Sequence, residues 1–163
     1  MCEYRGCQQI TTIAELCREH DVVVARVARI QSGLAGHRRD GIAIGCRQIL
    51  AILAPHTVVE EEGLFPEMTD ELPDHIKVLR VEHCEIEKVL GEVTDGVPDD
   101  SAWLDLLDAV VHLLRDHILT EQHGVIPAAL VALDAGQWER IEALRAWILA
   151  KSVPASAGDP DGG

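Results

Sequence analysis

Aromatic side chains make up 3% of the 163 residues, so the core cannot rest on large rings; with 47% hydrophobic residues it must be filled by Leu, Ile, Val and Ala. Basic residues are scarce as well, 14 Lys and Arg against 28 Asp and Glu, for a formal charge of −14. Such a chain has no basic face for phosphate, which argues against nucleic acid, and its acidity is mainly a matter of solubility. No apolar run approaches the roughly 20 residues of a membrane span, and Met1 leads into CEYRGCQQ instead of a charged segment followed by an apolar one. Cys2, Cys7, Cys17, Cys46 and Cys84 are odd in number and scattered, which fits reduced thiols better than a disulfide framework. These absences predict a cytoplasmic chain without nucleic-acid or membrane partners, long enough for one domain with a core of its own.

What the chain does have is a repeat. HTVVEEEGLFP at 56–66 returns as HILTEQHGVIP at 117–127, and both carry His, then Glu four residues on, Gly seven on and Pro ten on. On a helix, positions i and i+4 share a face, so His56 with Glu60 and His117 with Glu121 each aim an imidazole and a carboxylate the same way. The Gly and Pro are expected to end each helix just below the pair. Upstream, Glu19-His20 is answered by Glu82-His83. Two helical hairpins related in this way predict an all-α fold, an up-down four-helix bundle.

Taken in order, residues 1–9 are a short lead containing Cys2 and Cys7. Thr12 with Glu15 has the spacing of a capping box that starts helix A. Its stripe is Ile13, Leu16, His20, Val23, Val24, Val27 and Ile30. Gly33 to Gly41 reads as the connection, with His37 exposed in it. In helix B, Ile42, Cys46, Ile49, Leu53, His56 and Glu60 advance in steps of four and three, so the pair prolongs the core stripe inward. Pro55 is expected to bend this rod. Glu61 and Glu62 turn toward solvent, Glu61 near enough to back a ligand. Helix C, starting near Pro73, puts Ile76, Leu79, His83, Ile86, Glu87 and Leu90 on one face. The helix A position matching Glu87 is Val24, so the site should be lopsided, with room for an exogenous ligand. Ser101 caps helix D, whose Leu107, Val110, Leu114, His117 and Glu121 repeat the pattern. A fifth helix from about Asp134 to Ala150 presents Trp138, Ile141, Leu144 and Ile148, with Trp147 beside them. It is expected to cross the bundle as a lid or to form the face of a homodimer. The domain thus spans 10–150, and residues 151–163 form a disordered tail of Pro, Ala, Gly and Asp.

Four His-x-x-x-acid pairs occur among eight His, where chance gives roughly one or two. His112 with Asp116 is read as surface, because it lies about 140° around the helix from His117. The weight is in the register: His20, His56, Glu60, His83, Glu87, His117 and Glu121 all fall on apolar stripes. Burying three carboxylates without cations costs several kcal/mol each, on the order of a domain's whole stability, and metal ions offset it. Four imidazoles and three carboxylates are too many donors for one tetrahedral zinc and lack the thiolates of a structural zinc site. Bridging carboxylates with imidazoles suit two iron ions, ahead of manganese or zinc. A ferritin-like site needs Glu-x-x-His, and no Glu here has a His three residues later.

A His on helix A, His-x-x-x-Glu followed by Leu-Phe-Pro on B, a His on C and His-x-x-x-Glu on D resemble the hemerythrin-like family, the HHE cation-binding domain, over about residues 10–127. The resemblance implies that His20, His56, Glu60, His83, His117 and Glu121 hold a non-haem di-iron centre bridged by Glu60, Glu121 and an oxo or hydroxo group. The chain departs from oxygen-carrying hemerythrins at Glu87, where those have a second His, and at Glu121, where those have an Asp one residue later. Replacing an imidazole by a carboxylate favours the ferric state. The expected role is therefore to bind, react with or sense O2, peroxide or nitric oxide, with catalase-like peroxide disproportionation as the enzymatic form. The alternative is an iron or redox sensor whose metal-dependent folding is read by a partner protein.

Overall fold

The computed structural model describes residues 10–93 and 96–152, and among these residues there is no strand. The lead with Cys2 and Cys7 lies outside the described residues, as does the expected tail beyond Ser152. Five helical rods follow one another. Helix α1 is Thr11–Ala35. Helix α2 is Arg39–Met68, in which an α-helical stretch Arg39–Val59, a π-helical turn Glu60–Leu64 and a short helix Phe65–Met68 run on without a break. Helix α3 is Pro73–Gly91. Helix α4, residues 101–132, is assembled like α2, from Ser101–Thr120, a π turn Glu121–Val125 and Ile126–Ala132. Helix α5 is Ala135–Ser152. Helices α1, α2, α3 and α4 pack in a closed ring, each against two others, while α5 lies on α1 and α2.

The ring encloses two apolar clusters. One joins Val23, Val27 and Ile30 of α1 to Ile42, Ile49 and Leu53 of α2, Ile86 and Leu90 of α3, and Leu107, Val110 and Leu114 of α4. The other joins Ile13 and Leu16 to Leu64, Phe65 and Met68, Ile76 and Leu79, Val125 and Ile126, and is closed by Trp138, Ile141 and Ile148 of α5. Each ring helix contributes to both, and the passage between them falls at His20, at His56 and Glu60, at His83, and at His117 and Glu121. Every fully buried Leu or Ile on either side stabilises the fold by about 1.5–3 kcal/mol, so hydrophobic burial fixes the register that brings this polar layer together. Helices α1 and α2 approach closely at Gly45, where a Cβ would meet Ile30 Cγ1 at 2.6 Å.

Several local expectations are corrected. The Gly and Pro of the repeat do not end their helices. The amide of Phe65 bonds to the carbonyl of Glu60, and that of Ile126 to Glu121, each five residues back. The extra residue in these π turns leaves Pro66 and Pro127 in the first turn of a new α segment, where the missing N–H costs little. Gly63 instead makes room for α5, since a Cβ there would stand 3.2 Å from Leu144 Cδ2. The capping box at Thr12 and Glu15 is not formed; Ile10 precedes the helix without a side-chain cap, and Arg145 takes the Glu15 carboxylate. Asp100, not Ser101, caps α4 by accepting from the Ala102 amide. The α1–α2 connection shrinks to residues 36–38, with His37 exposed at φ 51°. Val24 is 36% exposed and leaves the stripe. Helix α2 as a whole is long and apolar enough to cross a membrane by length and composition, which no run in the sequence suggested, yet half of its apolar window is buried among the other helices.

Candidate metal centre

Six of the seven expected site residues meet in the polar layer. His20, His56, Glu60, His83, His117 and Glu121 are all buried, the two carboxylates almost completely. Donor atoms of His20, His56, Glu60 and Glu121 lie within 4.8 Å of one another, as do those of His83, His117 and Glu121. Each carboxylate straddles the layer. Glu60 Oε1 is 3.1 Å from His56 Nε2 and its Oε2 3.4 Å from His83 Nε2. Glu121 Oε2 is 3.1 Å from His20 Nε2 and its Oε1 3.1 Å from His117 Nε2. Glu87 joins neither group; it stands half-buried beside them. His112 is exposed near Asp108, as its place on the helix predicted.

The orientation of the imidazoles is set from behind. His56 Nδ1 donates to Glu19 at 2.8 Å, His83 Nδ1 to Glu61 at 3.0 Å and His117 Nδ1 to Glu82 at 2.8 Å, while the Gln122 amide faces His20 Nδ1 at 3.5 Å. A carboxylate can only accept, so the Nδ1 of those three rings carries a hydrogen and Nε2 faces inward, with a lone pair to offer a metal ion whenever the ring gives up its second proton. The inner ring nitrogens converge: His20 and His56 Nε2 are 3.0 Å apart, and His83 and His117 Nε2 2.9 Å. All four oxygens of Glu60 and Glu121 are buried without a hydrogen-bond partner, their approaches to the rings being charge contacts. Converging ring nitrogens and buried carboxylate oxygens call for positive charge between them, carried by protons on the imidazoles in the metal-free chain or by a bound metal ion.

The Hemerythrin HHE cation binding domain family matches residues 11–129 of the chain. The chain belongs to that family. No curated protein and no solved structure matches it. For this HHE chain, a His/Glu cluster of nitrogen and hard oxygen donors fits a metal centre, and iron is the metal such a set suits.

Sequence reading anticipated Glu61 behind a ligand but missed Glu19, Glu82 and Gln122. The signal was present. The residue before the lone His of one hairpin half supports the His of the next helix, Glu19 for His56 and Glu82 for His117. The residues after Glu60 and Glu121 support the lone His of a neighbouring helix, Glu61 for His83 and Gln122 for His20. The HHE family match ends before Arg145 of α5, which is 5% exposed and holds Glu15 and Glu19 at 2.5 and 2.6 Å. A surface groove of about 990 Å³ around Arg29, His37, Arg38 and Arg39 shares no residue with the cluster.

Charge in the layer yields a pH prediction for the metal-free HHE chain. Burial opposes protonation of His56 and His117, but Glu60 and Glu121 outweigh it and raise the two imidazoles from 6.5 to about 10 and about 9. Burial likewise opposes ionisation of Glu60 and Glu121, yet the facing imidazoles hold both carboxyls below their ordinary value. A folded-state pKa raised above the unfolded one gives stability that is complete below the unfolded value and is lost as pH rises through the folded value. The apoprotein should therefore lose melting temperature steadily between about pH 7 and 10. The metal-loaded chain, with Nε2 engaged, should resist that loss. Thermal melts of both forms across this range test it; an apoprotein curve that is flat or rising would refute the prediction.

Proposed function

We propose that the chain is a dinuclear non-haem iron protein on an up-down four-helix bundle, which reacts with or senses O2, peroxide or nitric oxide. The observation that carries this reading is the pair of donor groups sharing Glu121 around one small cavity. About 10 Å³ in volume, the cavity is lined by all four imidazoles together with Leu53, Ile86, Leu114 and Ile118. It has room for a single water-sized or diatomic molecule and little else. The up-down arrangement is supported by the order in which the helices serve the two apolar clusters, reversing from each ring helix to the next. Scattered thiols, with Cys46 buried and Cys84 exposed, support a cytoplasmic address.

Iron at such a centre supplies one-electron redox steps and Lewis acidity toward the small molecule. The chain's own residues do the rest. Glu19, Glu61 and Glu82 hold the rings in one tautomer and keep Nε2 basic, and the apolar lining excludes larger molecules and bulk water. Iron per chain, with the visible spectrum of the reduced protein before and after peroxide, tests this. About two irons and charge-transfer bands that respond to peroxide are expected of this mixed donor set. A colourless chain holding under about half a metal after anaerobic reconstitution with ferrous iron would overturn it.

A sensor reading is favoured by one observation, the four carboxylate oxygens buried without a hydrogen-bond partner, which a bound metal ion would engage. It predicts that chelation removes helicity, read by circular dichroism, whereas a catalyst keeps its helices.

A further inference from the structure

The centre is sealed, with no ligand more than 5% exposed, so a metal ion must cross a wall to reach it. One surface cleft abuts that wall. It has a volume of about 390 Å³ and is lined by Thr57, Glu61, Glu62, His83, Cys84 and Glu87, with no Lys or Arg among the described residues lining it. Thr57, His83 and Glu87 line the inner cavity as well, so the two spaces share a partition one side chain thick. Thr57 is 7% exposed and its Oγ1 is buried without a hydrogen-bond partner. A threonine inside a helix ordinarily bonds the carbonyl one turn back, and this one does not. Arg80 pairs with Glu61, which leaves Glu62 and Glu87 as the cleft's uncompensated carboxylates. A second cleft among the described residues, about 210 Å³, shares only Ile118 with the inner cavity and contains Arg115.

We propose that the Glu62–Glu87 cleft is the port through which a divalent metal ion is loaded. Carboxylates of Glu62 and Glu87 replace part of the ion's water shell, and Glu87 with Thr57 Oγ1 passes it across the partition to His83. Hard oxygen donors suit an incoming hydrated cation, and a funnel of one sign raises its local concentration. The half-buried position of Glu87, beside the centre but in neither donor group, is that of a transit ligand. The proposal rests on the reading of the cluster as a metal centre.

The test is stopped-flow loading of the full-length, metal-free chain with cobalt(II), followed by release to excess chelator, in Glu87→Gln, Thr57→Val and the exposed control Glu85→Gln. A transit group lowers the barrier in both directions. Loading and release should thus slow together, roughly tenfold in Glu87→Gln, with stoichiometry and affinity unchanged. Thr57→Val should slow both without changing charge. Unchanged rates, or equal slowing in Glu85→Gln, would overturn the port. Loss of one metal per chain in Glu87→Gln would overturn it too, by making Glu87 a resident ligand. A wild-type chain that takes up no metal fails at the centre itself, a result distinct from normal stoichiometry at an unaltered rate.

Discussion

Glu121→Gln is expected to abolish the proposed dinuclear centre, taking metal content from about two ions per chain to one or fewer. Glu121 is the only residue common to both donor groups, reaching His20 with one oxygen and His117 with the other at 3.1 Å each. Without it, the His83–His117 group is left with two imidazoles and a Glu60 oxygen 3.4 Å from His83 Nε2. The amide keeps the volume of the carboxylate, so the change removes a negative donor and not a packing group. Gln at position 121 also removes one of the two buried charges that the layer must neutralise. The metal-free variant should accordingly remain folded and melt less steeply with pH than the metal-free parent. The sequence offers its own control, for His112 has the same spacing to Asp116 as His117 has to Glu121 but is exposed. His112→Ala should leave metal content and spectrum unchanged. Full metal loading of Glu121→Gln, by metal analysis after reconstitution, would sink the bridging assignment.

That control also shows what was legible in the sequence. Inward-facing ligands could be read because a His-x-x-x-Glu pair continues a stripe, as Ile42, Cys46, Ile49 and Leu53 continue into His56 and Glu60, all of them buried. His112 could be set aside by the same rule. The π turns were illegible because Gly and Pro are punctuation under α-helical rules, and only tertiary packing makes an inserted residue favourable. Its trace is a one-residue slip of the stripe. An α-helical continuation from Glu60 would bury 64 and 67, whereas Leu64, Phe65 and Met68 are buried and Glu67 is half-exposed; after Glu121 the core takes Val125, Ile126 and Ala129. Glu87 shows the converse limit. It has the right period but lies at the edge of its face, and periodicity alone does not separate a face's centre from its flank. The groups behind the ligands depend on which helices become neighbours, so the repeat could mark Glu19 and Glu82 without assigning them a role.

Arg145 was the least legible of the residues that shape the centre, and its loss should have the second-largest effect. It lies on α5, outside the repeat, nearly buried, with Nε on Glu15 and Nη2 on Glu19. Burial works against its charge, but the two carboxylates outweigh that and hold the guanidinium protonated. Burial also opposes ionisation of Glu19, yet His56 and Arg145 together draw its carboxyl down. Arg145→Gln therefore leaves Glu15 and Glu19, one turn apart on α1, without the guanidinium they share. Breaking a fully buried pair costs about 3–5 kcal/mol, and since Glu15 and Glu19 keep part of their hydration, about 2 kcal/mol is expected here, a fall of roughly 4–8 °C in Tm. A purely structural role would stop there. Because Glu19 Oε2 also accepts from His56 Nδ1 at 2.8 Å, freeing Glu19 should loosen that ring and weaken metal binding in the His20–His56 group while sparing His83 and His117, which lean on Glu61 and Glu82. The signature is a two-step metal titration in which one step weakens and the other holds. Arg145→Lys keeps the charge but offers a single point donor in place of a fork, so it should recover most of the stability and only part of the weakened step. If Arg145→Gln lowers Tm and both metal steps remain as in the parent, α5 braces the fold without reaching the centre.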